Sequence, residues 1–367
     1  MLTFLNRYAI YLHQLFDFKL ATQEYSPYQA PWHLQNGWGQ TIATSLWYGN
    51  IWQWWNNQVP WYSHLPAIPW QEQVFLGAED VPLWGLWSCP EQAKATLIIN
   101  YGITGNVERA WYAHVLAQKA YAQGWAVVLY DWRSHGKSAE LSPVPCSDGW
   151  REGVDQVLMA EQIVALGCPR RVALAGFSLG GQVALWGLKA AVAENCTLIK
   201  TGAVLAPNLE SNRSLKHLVS TSMGKSVEQI LTKELRQEAE KREQHFPDAV
   251  KPGAVDRIDS IMAFDREMVI DYYGFTSVEQ YYQLTSGLYL LDELKLPYLV
   301  VYAADDPMFD PQLVPEIQER MAANPLAHLI MTPQGGHVSH IALPSATEDE
   351  FWGINRLLDF CNLALKN

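Results

Sequence analysis

Long hydrophobic runs are absent from this 367-residue sequence. No uninterrupted apolar stretch reaches the roughly 18 to 20 residues that a membrane-spanning helix needs. Residues 1–19 mix apolar positions with Asn6, Arg7 and Asp17 and contain no small-residue cleavage site, so they do not resemble a signal peptide. We therefore expect a cytoplasmic protein. An amphipathic helix over residues 2–18 that contacts a membrane peripherally stays open, although we favour docking of this segment on its own domain.

Positive charge is also scarce. The chain has 26 lysines and arginines against 38 acidic residues, for a formal net charge of −12. Nucleic-acid-binding proteins concentrate lysine and arginine on one face, and the sequence shows no such stripe. We therefore expect no nucleic-acid partner.

Cysteine motifs are missing as well. The five cysteines are odd in number, scattered, and never spaced as C-x-x-C. This pattern favours reduced thiols and indicates neither a disulfide framework nor a zinc site. We expect no bound metal.

Tryptophan, by contrast, is abundant near the start of the chain. Such residues bury a large apolar area while one N–H needs a partner, so a cluster fits a packed extension, a membrane-interface belt or an acyl-binding wall. We favour an extension over residues 1–70 that packs on the core. Ten of the sixteen tryptophans precede residue 90, at positions 32, 38, 47, 52, 54, 55, 61, 70, 84 and 87.

From residue 95 onward, apolar runs alternate with amphipathic stretches, which predicts parallel strands joined by helical crossovers. We assign residues 71–207 and 296–367 to this α/β core, with helices on both faces of a mostly parallel sheet. A hairpin over 73–76 and 82–88 would begin the sheet. The predicted core strands are 95–100, 126–130, 171–177, 200–205, 298–302 and 327–331, and the predicted helices are 108–123, 154–166, 181–193 and 348–366.

One connection is much longer than the others. About ninety residues separate Pro207 from Pro297, where a crossover needs roughly a dozen or more. Residues 210–251 are rich in charge and in helix formers, so we predict a helical cap insertion over 208–295. Open α/β sheets bind ligands beyond the carboxyl ends of their strands, and an insertion at this point would roof such a site.

The segment 176–180 reads Gly-Phe-Ser-Leu-Gly between a predicted strand and a predicted helix. A G-x-S-x-G motif in that context places its serine on a sharp, strained turn, and the flanking glycines let the backbone fold back. We predict that Ser178 is a nucleophile.

A serine hydroxyl needs a base to take its proton and a third group to orient that base. His337 follows the strand that ends near residue 331, through Gly335 and Gly336. This Gly-Gly approach lets the backbone enter a site closely, so we prefer His337 to His340 as the base.

Two neighbouring aspartates compete for the orienting role. Asp305 and Asp306 both follow the predicted strand 298–302, and Ser, Asp and His then occur in the order typical of serine nucleophile elbows. Asp306 is followed by a short residue and two apolar ones, as such acids usually are. We favour Asp306 and keep Asp305 as its rival.

Acyl transfer also needs donors for an oxyanion. The backbone N–H of Leu179, at the start of the nucleophile helix, is one candidate, and that of Ile103, in the loop 101–105, is the other. The loop 131–138 gathers Asp131, Arg133 and His135, which could suggest a metal or a second catalytic cluster. No ligand set with metal spacing accompanies them, so we expect hydrogen bonds that fix the loop.

Together these residues resemble the YheT-like branch of the α/β-hydrolases, over most of the chain. The resemblance implies an α/β-hydrolase fold and cofactor-free hydrolysis of carboxylic esters, of acyl lipids or medium-chain esters. Tyr101-Gly102 departs from the family's His-Gly and Arg133-Ser134 from its Arg-Gly, and we expect the first to alter the wall beside the oxyanion hole. The matching segments are 31–34, 36–37, 40–41, 176–181, 264–265, 273–275, 281–282, 303–307 and 335–337.

The expected partner is a small-molecule acyl ester or lipid, and the sequence indicates no oligomeric state. Two alternatives to hydrolysis stay open. The same triad could pass the acyl group to an alcohol, as an acyltransferase does. The chain could also be a non-catalytic lipid-binding protein on a hydrolase fold.

Overall fold

The computed structural model describes residues 25–47, 65–345 and 347–366. The amphipathic helix predicted over 2–18 and four of the early tryptophans, at positions 52, 54, 55 and 61, lie outside these ranges. None of the helices in the described ranges has the length and apolar character needed to cross a membrane.

The described core is built on an eight-stranded sheet in the order β1-β2-β4-β3-β5-β6-β7-β8. The β1–β2 and β2–β4 pairs are antiparallel, and every later pair is parallel. The predicted hairpin and all six predicted core strands are confirmed. The strands are β1 (Gln71–Leu76), β2 (Pro82–Ser88), β3 (Ala95–Asn100), β4 (Trp125–Tyr130), β5 (Val172–Phe177), β6 (Ile199–Leu205), β7 (Tyr298–Ala303) and β8 (Ala327–Thr332).

Strands β3, β4, β5 and β7 are buried at every residue. Helices cover them, as the unbroken apolar runs predict for parallel strands. The core helices are α2 (Trp111–Ala122), α3 (Glu152–Ala165), α4 (Leu179–Ala193), α10 (Leu313–Ala323) and α11 (Trp352–Ala364). Helices α2 and α11 contact each other and the sheet, and α3 packs along α4.

All four predicted helix starts were wrong by two to four residues, and α3 begins at Glu152 rather than 154. Helix α2 begins at Trp111 rather than 108, since the Asn106 carbonyl first closes a turn with the N–H groups of Arg109 and Ala110. Helix α11 begins at Trp352 rather than 348, because the Ser345 hydroxyl accepts from the N–H of Glu348 in a turn. Helix α4 begins at residue 179, two residues before the predicted start.

Between β6 and β7 the chain is helical. Helix α6 (Ser222–His245) carries ten charged residues, more than any other helix of this segment. A small hydrophobic cluster that includes Tyr281 and Tyr282 lies between α6 and its neighbours. The helices are α5 (Ser211–Leu218), α6 (Ser222–His245), α7 (Ile261–Met268), α8 (Ile270–Tyr273) and α9 (Val278–Thr285).

Before the sheet, one helix is described, α1 (Gly37–Leu46). The Asn36 side chain caps it by accepting from the N–H of Gly39 at 2.7 Å. This helix lies against the loop that follows β8, through contacts made by Gln40 and Thr41.

Candidate active site

Ser178 is the single residue between β5 and α4, and its backbone is strained. Its φ of 53° and ψ of −125° are unfavourable for a residue with a Cβ. The turn is held from both sides, because the Ser178 N–H donates to the Leu205 carbonyl at 3.1 Å and its carbonyl accepts from the Asn208 N–H at 3.0 Å. The serine is thereby fixed at the carboxyl edge of the sheet.

The glycines of the motif are required by close backbone contacts. A Cβ on Gly176 would lie 2.1 Å from the carbonyl oxygen of Gly180, and a Cβ on Gly180 would lie 1.9 Å from that of Tyr101. Neither position tolerates a side chain without movement of the backbone. The motif therefore needs glycine at these positions because the turn around Ser178 packs closely against the start of α4 and against the residue that follows β3.

His337 bridges Ser178 and Asp306. Its Nε2 lies 2.9 Å from the Ser178 Oγ, and its Nδ1 lies 2.9 Å from the Asp306 Oδ2. In the neutral imidazole with a proton on Nδ1, the ring donates to the carboxylate and accepts from the hydroxyl. The Asp306 Oδ1 accepts from the N–H of Met308 at 2.9 Å, which fixes the carboxylate. Phe309 packs edge-on against the imidazole, with ring centroids 4.9 Å apart.

The two rival residues have other contacts. The Asp305 Oδ1 accepts from the backbone N–H of Gly336 at 3.0 Å, and burial raises the pKa of this carboxyl, with a further contribution from the charge of Asp306. The His340 Nε2 lies 2.9 Å from the Thr332 Oγ1. Burial lowers the pKa of this imidazole to about 3, and the residue is inaccessible to solvent. Both side chains contact the loop that carries His337.

Ile103 and Leu179 line the cavity in which Ser178 lies. Leu179 is the first residue of α4, and the first N–H groups of a helix have no acceptor within it. The neighbouring N–H of Gly102 is bound by the Tyr112 hydroxyl at 2.9 Å. Sequence reasoning missed Tyr112, because no local pattern connects a tyrosine on α2 with the loop after β3.

The loop 131–138 is fixed by hydrogen bonds, as predicted. Asp131 accepts from the N–H of Val107 at 2.7 Å and from that of Lys137 at 2.9 Å, and the His135 Nδ1 lies 2.9 Å from the Arg133 carbonyl. Among the residues described, no group of three or more histidines, cysteines and carboxylates could hold a metal ion.

Tyr101 and Ser134, the two positions that depart from the family pattern, have different environments in the structure. The Tyr101 ring is fully buried, stacks on Trp132 at 4.6 Å, and lies outside the residues that line the cavity. Its hydroxyl donates to Asp131 and accepts from the Trp132 N–H, and the expectation that this residue alters the oxyanion wall stays a prediction. Ser134 has a φ of 56°, a left-handed conformation that glycine adopts without strain.

A cavity extends from Ser178 beneath the helices that lie between β6 and β7. Much of its wall is apolar. Leu231, Leu235 and Ala239 line it at four-residue spacing on α6, a stripe that sequence reasoning overlooked within a strongly charged segment. Further apolar lining residues are Leu215, Leu218, Ile261, Phe264, Met268, Val269, Met308 and Phe309.

The same wall contains a few buried polar groups. Asp265 accepts a hydrogen bond from the Tyr282 hydroxyl, and burial raises its pKa to about 7. Asp148 also lines the cavity, and burial, followed by the charge of Asp265, raises its pKa. Arg242 donates to the Met268 carbonyl at 3.0 Å, and burial lowers its pKa to about 10. These groups make one part of the cavity polar.

Comparison with known proteins gives a consistent assignment. The profile of the alpha/beta hydrolase family matches residues 102–350. A relative from Synechocystis sp., named "Putative esterase slr0264", is 37% identical over 359 residues, which cover 92% of this chain and 95% of the relative. "Putative esterase YheT" of Escherichia coli is 23% identical over 307 residues, covering 81% of this chain and 85% of that protein.

A solved structure agrees on the fold. The Pyrococcus furiosus esterase Pf2001 superposes with a TM-score of 0.52 at 17% identity, covering 80% of this chain and 92% of its own. The resemblance drawn from the sequence motifs is thus confirmed. The chain belongs to the α/β-hydrolase family, and its relatives identify it as a member of the YheT-like branch.

Proposed function

We propose that this chain, a carboxylic ester hydrolase, cleaves acyl lipids or medium-chain esters through an acyl-enzyme formed on Ser178. The observation that carries the proposal is the continuous contact from the Ser178 Oγ to the His337 Nε2, and from the His337 Nδ1 to Asp306, each at 2.9 Å. Such a chain lets a neutral imidazole act as base toward the hydroxyl while the carboxylate fixes its tautomer.

The reaction follows from these contacts. The His337 Nε2 takes the hydroxyl proton as the Ser178 Oγ attacks the ester carbonyl carbon, and Asp306 stabilises the imidazolium. The N–H groups of Leu179 and Ile103 bind the oxyanion, a contribution of about 3 kcal/mol per donor. The imidazolium then returns the proton to the leaving alkoxide. Water repeats the sequence on the acyl-enzyme, releasing the acid and restoring Ser178.

The wall of the cavity supports an acyl chain as the bound group. Leu231, Leu235 and Ala239 face the space beside Ser178, and each methylene transferred from water to such a wall contributes about 0.8 kcal/mol. A chain of several carbons gains enough from this burial to be held while the ester carbonyl lies at the serine.

A fluorophosphonate probe tests the nucleophile. We expect the purified protein to be labelled and Ser178→Ala to be unlabelled, because only an activated serine attacks the phosphorus. Ser226→Ala, on the exposed part of α6, is the matched control and should be labelled like the parent. An unlabelled folded parent, or labelled Ser178→Ala, contradicts the proposal.

Transfer of the acyl group to an alcohol is the second candidate, favoured by a cavity that the insertion roofs with apolar side chains. Supplying acyl donor and alcohol together distinguishes the two reactions. Hydrolysis gives free acid alone, whereas transfer gives a new ester in proportion to the alcohol concentration.

Chain-length preference tests the role of α6. Ala239 is buried and lines the cavity, so Ala239→Leu places three further carbons in it. We expect kcat/KM for the longest accepted ester to fall about tenfold relative to the shortest, since a methylene in an apolar pocket changes discrimination by roughly tenfold or more. The measurement is a series of p-nitrophenyl esters, with the exposed neighbour Glu240→Gln as control. An unchanged profile would place the acyl chain elsewhere.

A further inference from the structure

The loop that carries His337 has a strained backbone. Val338 has a φ of 51° and His340 a φ of 44°, both in the left-handed region. That conformation is especially unfavourable for a β-branched residue such as valine. Strained residues persist only where the surroundings hold them. The position of the imidazole therefore depends on what packs against this loop.

The amino-terminal segment makes several of these contacts. The Thr41 Oγ1 accepts from the backbone N–H of His337 at 2.8 Å, and the same hydroxyl donates to the Gly37 carbonyl at 2.7 Å. Gln40, which is fully buried, accepts from the N–H of Ile341 at 3.3 Å. From the loop itself, the Gln334 side chain donates to the Gln35 carbonyl at 2.8 Å.

The backbone at the start of helix α1 lies directly against the segment that follows β7. A Cβ on Gly37 would lie 1.8 Å from the carbonyl oxygen of Asp305, so only glycine lets the helix reach this position. Asp305 in turn accepts from the Gly336 N–H. The first turn of α1 is therefore packed against both segments that supply the partners of Ser178.

We propose that the segment 35–41 fixes the loop that carries His337, and that within it Thr41 is the positioning residue for His337. This inference rests on the proposed function of Ser178 and His337. Thr41 fixes the backbone nitrogen of the residue whose ring must keep two contacts of 2.9 Å at once. It lies outside the residues that line the cavity, so it acts on the chemical step and not on substrate binding.

The test compares Thr41→Val with Thr44→Val. Both substitutions are isosteric, and both lie on α1. The Thr44 hydroxyl is buried and has no hydrogen-bond partner among the described residues. Thr44→Val therefore removes no hydrogen bond, whereas Thr41→Val removes the one to the His337 N–H. We expect Thr41→Val to lower kcat about 10- to 100-fold with KM within twofold, because a misplacement of about 1 Å can cost 10²-fold. Thr44→Val should stay within twofold of the parent, and Thr41→Ser should recover most of the lost kcat.

The rate of labelling by the fluorophosphonate probe provides a second readout. It should fall in parallel with kcat in Thr41→Val, because it reports activation of Ser178 without any need for acyl binding. Circular dichroism and the thermal midpoint establish that each variant is folded. A kcat equal to that of the parent in folded Thr41→Val, an equal loss in Thr44→Val, or no recovery in Thr41→Ser overturns the inference.

If Thr41→Val does not fold, Gln334→Ala answers the same question. The Gln334 amide is partly exposed, and its loss releases the loop from the Gln35 carbonyl. We expect kcat to fall several-fold at unchanged KM, and an unchanged kcat overturns the inference. The proposed function fails separately, through an unlabelled parent or labelled Ser178→Ala.

Discussion

Asp306→Asn is expected to lower kcat about 10⁴-fold while the protein stays folded. The amide can occupy the space of the carboxylate, but its NH₂ group no longer accepts from the His337 Nδ1–H. The ring then favours the tautomer that carries its proton on Nε2, which cannot take the proton of Ser178. The imidazolium that forms during attack also loses its compensating charge. Steady-state turnover of a p-nitrophenyl ester measures the effect.

Asp305→Asn is the matched control for this change. The Asp305 Oδ1 accepts from a backbone N–H, that of Gly336, and the carbonyl oxygen of an asparagine can do the same. We therefore expect kcat within about tenfold of the parent. Equal losses in the two variants would mean that the orienting role is not confined to Asp306, and a larger loss in Asp305→Asn would reverse the assignment.

The strands and the elbow could be predicted because their signals are local. Fully buried parallel strands require unbroken apolar runs. Glycine is required at 176 and 180 because a Cβ at either position would lie within 3 Å of a backbone oxygen. The two aspartates were harder to separate, since they are adjacent in one turn. Their carboxylates diverge, one toward the Gly336 N–H and the other toward the imidazole, and that divergence is a property of the backbone conformation.

The contacts of α1 with the His337 loop could not be predicted from sequence. Thr41 and His337 are 296 positions apart, and nothing in the composition of either segment indicates its partner. The tryptophan-rich composition drew attention to the amino-terminal region for its apolar area. The residues of α1 that contact the active-site loop are instead polar or small, namely Gly37, Gln40 and Thr41.

The cavity wall on α6 was missed for a different reason. Its apolar residues repeat every four positions, but charged residues dominate the helix between them, and the overall composition indicates a solvated surface. A count along one helical face, rather than over the whole segment, would have found Leu231, Leu235 and Ala239. The outer face of α6 is exposed while this stripe faces the cavity.

Among the variants proposed for this protein, Arg133→Met is expected to lower the free energy of unfolding most. The Arg133 guanidinium forms two bonds of 2.7 Å with the Asp155 carboxylate, and both side chains are fully buried. Removing one partner leaves an uncompensated buried charge, which typically costs about 3–5 kcal/mol of the free energy of unfolding. Urea denaturation followed by circular dichroism measures the change.

Arg320→Met is the control for this prediction. Arg320 contacts Asp292 at the same distance, 2.7 Å, but both side chains are partly exposed. Solvent screens the pair and hydrates the remaining carboxylate, so we expect a loss below about 1 kcal/mol. Equal losses in the two variants would mean that burial does not decide the value of the Arg133 contact.

Combining Arg133→Met with Asp155→Leu separates two contributions to the stability lost in Arg133→Met: the cost of the unpaired Asp155 carboxylate and the cost of the other contacts that are lost. The double variant also removes the buried Asp155 carboxylate, so it should be more stable than Arg133→Met alone. The buried Glu152 carboxylate, 3.9 Å from the Arg133 Nε in the parent, loses Arg133 in both variants. The double variant should not reach the parent, because Asp155 also accepts from the backbone N–H of Ala78 at 2.8 Å and leucine leaves that donor without its partner. A double variant less stable than both single variants would mean that the rest of the site, and not the buried charge, determines the cost.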